Sequence, residues 1–282
     1  MTADRRGVTA EVVGELYDEG TELLSALMGG SLHYGYWDGS ADTGSMAEAS
    51  RRMTDFMIDR LTVRRGRRVL DVGCGTGRPA LQLARSTGAE VVGVTIGREQ
   101  VRLANLAAAA EGLDRQVMFE HGDAADLRFA PESFDAVWLF ESLLHMPDPQ
   151  HVLKQLATIL RPGGRLVIAN LVQRARLTKA EEAGLAAYLQ MTGIASIAPL
   201  DDYPGLVTHS GLVLHELLDV SEHSVRRTLE CVLAGLSDAV VPEVAETDAA
   251  SEALRHARAI VEQFAAKRGI GYALAVALGP AR

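Results

Sequence analysis

The sequence predicts an α/β protein in which a largely parallel sheet is wrapped by helices, and three observations carry that prediction. From residue 68 onward, short β-branched runs alternate with stretches of helical periodicity, the pattern of strand-helix-strand units. The first of these runs, Val69-Leu70-Asp71-Val72, passes directly into Gly73-Cys74-Gly75-Thr76-Gly77. Three alternating glycines where a helix can begin let the backbone take conformations that a side chain would block and let a nucleotide approach the chain. Finally, 282 residues with 48% hydrophobic and 23% charged side chains suit one large α/β domain with insertions, so residues 1–282 are read as one unit.

In chain order, residues 9–60 read as mostly helical. They are interrupted by Leu32-His33-Tyr34-Gly35-Tyr36-Trp37-Asp38-Gly39, which cannot be one regular helix, and residues 1–60 form an N-terminal helical cap. The basic run Arg64-Arg65-Gly66-Arg67-Arg68 reads as a solvated turn ahead of a first strand at 68–72. Further strands follow at 90–95, 117–121, 134–140 and 165–170, with helices at 79–86, 98–111 and 149–160 between them. Pro79 falls near a tolerated first-turn position, and Arg161-Pro162-Gly163-Gly164 stops the last helix. Residues 61–170 are thus the nucleotide-binding core.

Residues 171–211 hold an amphipathic helix near 177–191 and a loop-rich stretch with Pro199 and Pro204, the makings of a lid between strands five and six. Asp201-Asp202 is expected to cap a helix starting at Tyr203. A sixth strand at 212–220, helices at 225–236 and 249–267, and a last strand at 271–278 complete the core over 212–282.

Composition excludes several classes of partner. A formal charge of −9 disfavours nucleic acid and anionic membrane surfaces, both of which reward basic proteins. Two cysteines, Cys74 and Cys231, can build neither a disulfide framework nor a zinc cluster, which fits a reducing cytoplasm. Residues 1–10 lack an apolar run of signal-peptide length, and the most apolar stretch, 272–278, is too short to span a bilayer. The expected protein is cytoplasmic, a monomer or homodimer, without a metal site.

Glycine spacing decides which nucleotide is expected. A dinucleotide fold prefers Gly-x-Gly-x-x-Gly with an acidic residue about 20 positions on. Here Gly73-x-Gly75-x-Gly77 follows Asp71, which resembles motif I of class I S-adenosylmethionine-dependent methyltransferases. The resemblance extends through Gly122-Asp123-Ala124, Phe134-Asp135-Ala136-Val137 and Leu160-Arg161-Pro162-Gly163-Gly164. It implies a Rossmann-like seven-stranded sheet with helices on both faces. It also implies S-adenosyl-L-methionine as cofactor, S-adenosyl-L-homocysteine as product, and Asp123 accepting from the adenine amino group.

Where most relatives carry a ribose-binding acid, this chain reads Thr95-Ile96-Gly97-Arg98-Glu99-Gln100. A hydroxyl and an amide can make the same contacts without charge. That pair looks like the branch containing cyclopropane fatty-acid synthases, tocopherol methyltransferases and actinomycete tailoring enzymes of the rebeccamycin sugar O-methyltransferase type. The tailoring enzymes are most similar, sharing the His-Tyr-Gly-Tyr-Trp type of segment, the Glu-Ser-Leu-x-His-Met-Pro-Asp segment and the lid. In that group the aromatic segment covers the cofactor's methionine end, which makes Tyr17, His33, Tyr34, Tyr36 and Trp37 candidate cap residues. Packing of the N-terminal helices on the sheet is the alternative for Tyr36 and Trp37. The implied cofactor set is Tyr17, Tyr34, Trp37, Asp71, Gly73, Gly75, Thr95, Ile96, Gln100, Gly122, Asp123, Ala124 and Glu141.

Methyl transfer is an in-line displacement at a sulfonium carbon, and a base is needed only when the acceptor must lose a proton. His145 is the leading candidate base, with shaping of its loop as the alternative; Glu141 is expected to contact loop backbone or the N-terminal cap. The sugar O-methyltransferases of this group carry a further His and an Asp where this chain has Leu144 and Asn170, and neither can act as a base. Tyr36, Leu144, Asn170 and Tyr203 are the expected acceptor contacts, with Asp201, Asp202 and His209 as further lid candidates; His215 and His223 are read as structural. The implied activity is methylation of an oxygen or nitrogen on a small secondary metabolite. A methyltransferase-fold cyclase that keeps its cofactor as a structural ligand is the alternative, ahead of C-methylation or cyclopropanation.

Overall fold

The computed structural model describes residues 13, 14, 25, 27–236 and 248–280; the expected cap residue Tyr17 lies outside them. Seven strands form one sheet: β1 (Arg68–Val72), β2 (Glu90–Thr95), β3 (Val117–His121), β4 (Phe134–Phe140), β5 (Leu160–Gln173), β6 (Val213–Asp219) and β7 (Ile270–Leu278). Their spatial order is β3-β2-β1-β4-β5-β7-β6. The pairs from β3 to β5 are parallel, and β7 runs antiparallel between β5 and β6. The order reverses at β1, so the carboxyl ends of β1 and its neighbours open a crevice there, as in other doubly wound sheets.

The first four strands have the bounds expected from sequence, but the fifth is longer than 165–170. Phe134 pairs with Leu160 and Ala136 with Arg165, so residues 161–164 loop out as an irregularity within one continuous strand. At its far end β5 continues to Gln173, because β7 pairs with it as far as Ile270. The basic run is more than a solvated turn. Asp135 accepts from the Arg68 backbone N–H at 2.9 Å, from Arg67 at 2.9 Å and from Arg161 at 2.8 Å, clasping the amino ends of β1, β4 and β5.

Strand alternation sorts the core into two layers. On one face, Val167, Ala169 and Leu171 of β5 and Tyr272, Leu274 and Val276 of β7 pack under α1 (Met46–Leu61), α2 (Arg78–Thr87) and α3 (Arg98–Ala110). The lid helix α5 (Lys179–Thr192) and the late helices α7 (Val225–Gly235) and α8 (Asp248–Ala265) cover the same face. On the other face, Leu166, Ile168 and Val172 meet α4 (Pro149–Ile159) and α6 (Tyr203–Thr208). Small Ala273, Ala275 and Ala277 line that second face, where Tyr203 and Val207 of α6 approach. Helix α1 starts with a capping box in which Ser45 accepts from the Glu48 N–H and the Glu48 side chain returns to the Ser45 N–H.

The aromatic N-terminal segment is anchored from both sides. The Tyr36 ring lies between Phe56, at 4.9 Å, and His223, at 5.0 Å; the Trp37 N–H donates to the His223 carbonyl and His223 Nδ1 to the Trp37 carbonyl, both at 2.8 Å. No described helix is long and apolar enough to cross a membrane.

Candidate active site

Two adjoining chambers open at the carboxyl ends of β1, β2 and β4. The larger, about 580 Å³, is bordered by Gly73, Gly75, Thr95, Ile96, Gln100, Gly122, Asp123 and Ala124. The smaller, about 250 Å³, lies between β5, the lid helix α5 and the late helices α7 and α8. Leu32, Glu141 and His145 border both.

The glycine turn shapes the larger chamber. Gly73 has φ +79°, and a Cβ there would stand 2.3 Å from the Ser142 Cβ, so the β1 turn touches Ser142, two residues past the end of β4, with no side chain between. A Cβ on Gly75 would meet nothing nearer than Leu32 Cδ1 at 3.6 Å, which leaves its backbone facing the chamber. At the end of β2 the buried Thr95 hydroxyl donates to Gln100 Oε1 at 2.7 Å. This bond keeps the Gln100 amide N–H groups and a Thr95 lone pair for a ligand. Across the chamber, Asp123 Oδ1 accepts from the Ala125 N–H at 2.8 Å and caps a short turn, leaving its second oxygen at the mouth.

A recess of about 40 Å³ behind the glycine turn is bordered by Asp71, His33 and Phe140. Burial pushes the Asp71 carboxyl up to about 7, against the pull of the Trp138 indole. His33 stacks on Phe140 at 3.9 Å and donates from Nδ1 to the Tyr34 carbonyl. Burial pushes its imidazole down to about 4, so it is neutral at ordinary pH.

Glu141 and His145 stand where the chambers meet. Glu141 has φ +51°, an uncommon conformation for a side-chain-bearing residue that costs about 1–2 kcal/mol. Three bonds hold it: its N–H to the Ala169 carbonyl at 2.8 Å, and Oε1 accepting from the Tyr34 N–H at 2.7 Å and the Tyr272 hydroxyl at 2.6 Å. The carboxyl thus pins the N-terminal segment over the site, as its expected contact with the cap required. His145 Nδ1 donates to the carbonyl of Gly193, the residue that closes α5, at 2.8 Å. A carbonyl only accepts, so Nδ1 carries a proton; burial pushes the imidazole pKa below its ordinary value, and the neutral ring therefore has its lone pair on Nε2.

Burial also raises Glu141, to about 8 from an ordinary 4.5. Its contribution to stability is complete below about pH 4.5, where folded and unfolded chains are both protonated, and is lost as pH rises through about 8. Asp71 acts in the same sense between 3.8 and about 7. The ligand-free protein is therefore expected to melt progressively lower as pH rises through this window. Glu141→Gln, which keeps both accepted hydrogen bonds, should flatten part of that slope in a thermal-unfolding series; equal slopes would place the titration elsewhere.

Several expected site residues lie elsewhere. Tyr34 borders the smaller chamber and not the nucleotide-sized one, because its ring turns toward Tyr272 and Tyr188. Trp37 is 1% exposed and donates its indole N–H to the Gly44 carbonyl, so it packs the N-terminal segment and reaches neither chamber. Tyr36, held between Phe56 and His223, does the same. Asn170 lies one residue from Leu171, which borders the smaller chamber; strand alternation sends Asn170 to the opposite face, where its amide donates to the Tyr203 hydroxyl at 3.2 Å. Both residues are core there, and α6 packs with them. Asp202 occupies the position before α6, but its side chain caps nothing, since Asp201 and Asp202 lie in a short 3₁₀ turn. Leu144 does border the smaller chamber.

What sequence reasoning missed is the contribution of the late helices. Leu229, Val232 and Leu236 near α7, and Leu254, Ala257 and Val261 on α8, wall the smaller chamber. Their spacing of three and four residues marks two apolar helix faces. That signal shows burial, but it does not distinguish a core from a ligand.

The comparisons with known proteins agree with this geometry. A family model described as a methyltransferase domain matches residues 70–168. Methyltransferase GfsG of Streptomyces halstedii is 43% identical over 234 residues, covering 83% of this chain and 84% of that protein. The 27-O-demethylrifamycin SV methyltransferase of Amycolatopsis mediterranei is 38% identical, covering 77% and 79%. Among solved structures, the [4+2]-cyclase SpnF superposes with a TM-score of 0.84 at 30% identity, over 97% of this chain and 98% of that one. With a glycine turn at the switch point of a 3-2-1-4-5-7-6 sheet and relatives matched over most of their length, the chain belongs to the class I methyltransferases, among the tailoring enzymes of natural-product pathways.

Proposed function

We propose that the larger chamber holds S-adenosylmethionine and that the enzyme methylates an oxygen of a small natural product bound in the smaller one. The observation that carries this reading is the position of His145, whose tautomer is fixed by Gly193 and whose ring borders both chambers.

The residues present fit the cofactor. A chamber of about 580 Å³ is large enough for an adenosine with its amino-acid tail, and the open Gly75 backbone, the Thr95–Gln100 pair and Asp123 offer uncharged and acidic partners for ribose and adenine. Asp71 is buried beside the recess, and its raised pKa would fall again against the cofactor's ammonium. When bound, S-adenosylmethionine supplies a methyl carbon on a sulfonium leaving group.

His145 Nε2 is the group that would take the proton of the acceptor hydroxyl. Glu141 holds the N-terminal segment over the junction through the Tyr34 N–H and so keeps water from the reacting atoms. Oxygen is favoured over nitrogen because the lowered pKa of His145 keeps a neutral base available at ordinary pH, which an uncharged amine would not require. The relative acting on demethylrifamycin is named for methylation at an oxygen position, which supports the same choice.

The second reading, a cyclase on the same fold, is favoured by the likeness to SpnF. Incubation with methyl-labelled S-adenosylmethionine and metabolite extracts separates the two. One S-adenosylhomocysteine per labelled product is expected, whereas product formed without it would establish the cyclase.

A further inference from the structure

The smaller chamber is apolar over most of its wall, with Leu144, Leu171, Met191, Val232 and Val261 prominent. Two of its polar side chains are tied to backbone: the Thr192 hydroxyl donates to the Tyr188 carbonyl at 2.7 Å, and the Thr228 oxygen accepts from the Gly35 N–H at 3.1 Å. Tyr34 and Tyr188 are different. The two residues are 4% and 7% exposed, and their hydroxyl oxygens lie 3.1 Å apart. Neither hydroxyl has another hydrogen-bond partner among the described residues.

Two hydroxyls carry two protons, and one shared hydrogen bond uses only one of them. Whichever oxygen accepts from its neighbour still has its own O–H to donate, and among the described residues no protein acceptor bonds to it. Buried donors are paired in folded proteins, by protein, water or ligand. Both rings are held in place independently of that proton, Tyr188 stacked on Phe264 at 3.7 Å and Tyr34 against Tyr272 at 5.7 Å. The pair is therefore a preformed donor at a fixed point in an apolar wall, separate from His145.

We infer that the Tyr34–Tyr188 pair is a specificity subsite that donates a hydrogen bond to a second oxygen of the acceptor, a carbonyl or ether set in a largely hydrocarbon skeleton. The acceptor class is thus a neutral, largely apolar molecule that carries oxygen acceptors. Sugars, phosphates and ammonium compounds do not fit such a wall. The inference rests on reading the smaller chamber as the acceptor site of a methyltransferase.

The test uses the full chain with S-adenosylhomocysteine present and two matched probes, cyclodecanone and cyclodecane, in competition with a fluorescent apolar dye. The ratio of ketone to hydrocarbon affinity is expected to be roughly tenfold higher in the wild type than in Y34F/Y188F, the size of one buried hydrogen bond. The infrared carbonyl stretch of bound cyclodecanone should lie lower in the wild type and return to its apolar-solvent position in the double variant. Equal ratios, an unshifted stretch, or failure of the ketone to bind would each overturn the subsite. If the double variant is unfolded by circular dichroism, the single variants serve, and one of them must lose the shift. Binding of S-adenosylhomocysteine is measured on the same samples. Its failure with the ketone preference intact would sink the methyltransferase reading and leave the subsite; its success with no preference would sink the subsite alone.

Discussion

Replacing His145 by asparagine is expected to lower kcat roughly 100- to 10,000-fold, the usual weight of a positioned general base. Asparagine can still donate to the Gly193 carbonyl, so the link between the Leu143–His145 turn and the end of α5 survives while the base is removed. The affinity for S-adenosylhomocysteine should change by less than about threefold, because the glycine turn, the Thr95–Gln100 pair and Asp123 are untouched. In the wild type, the acid limb of the kcat profile should fall below the ordinary imidazole range, since burial lowers the His145 pKa. A variant with unchanged kcat would reduce His145 to shaping its loop.

Gly73→Ala is expected to damage both stability and cofactor binding. Its φ of +79° opposes any side chain, and the new Cβ would lie 2.3 Å from the Ser142 Cβ. The left-handed backbone costs about 1–2 kcal/mol and the overlap about 1–3 more, so a loss of roughly 2–5 kcal/mol of stability is expected in denaturant unfolding. Gly66 is the matched control: its φ is +76°, but a Cβ there meets nothing within 4 Å, so only the backbone share should be lost. Cofactor affinity should fall at least ~10-fold in Gly73→Ala, because the turn must move to relieve the contact. Equal losses at the two glycines would mean that Ser142 yields freely and the close approach of β1 and β4 does not matter.

The nucleotide side of this enzyme was legible in the sequence because its signals are local. Part of the larger chamber's border lies around the turns that leave β1, β2 and β3, each shaped by residues within a few positions of one another: Gly73 and Gly75, Thr95 with Gln100, Gly122 with Asp123. The acceptor side was not legible in the same way. Asn170 was placed at the site by its position at a strand end, but a shift of one residue turns a strand side chain to the other face, and Leu171 borders the chamber instead. Tyr203 followed Asn170 into the core because the later part of the lid, beyond Ile197, packs on that opposite face. The aromatic segment illustrates the same limit, since Tyr34, Tyr36 and Trp37 lie within four residues but have three different environments.

Sequence alone determined the seven-strand framework and the glycine turn, because strand periodicity, turn chemistry and helix starts are all set by neighbours in the chain; the expected cofactor followed from the resemblance that those motifs carry. Only the tertiary structure decided what stands beside the larger chamber. Residues 28, 34, 144, 188, 229 and 261 meet in one apolar chamber, and residue 193 fixes the tautomer of residue 145. Those contacts join segments more than two hundred residues apart. Their geometry is set by how helices from the lid and the carboxyl-terminal part pack on one face of the sheet, which no local pattern encodes.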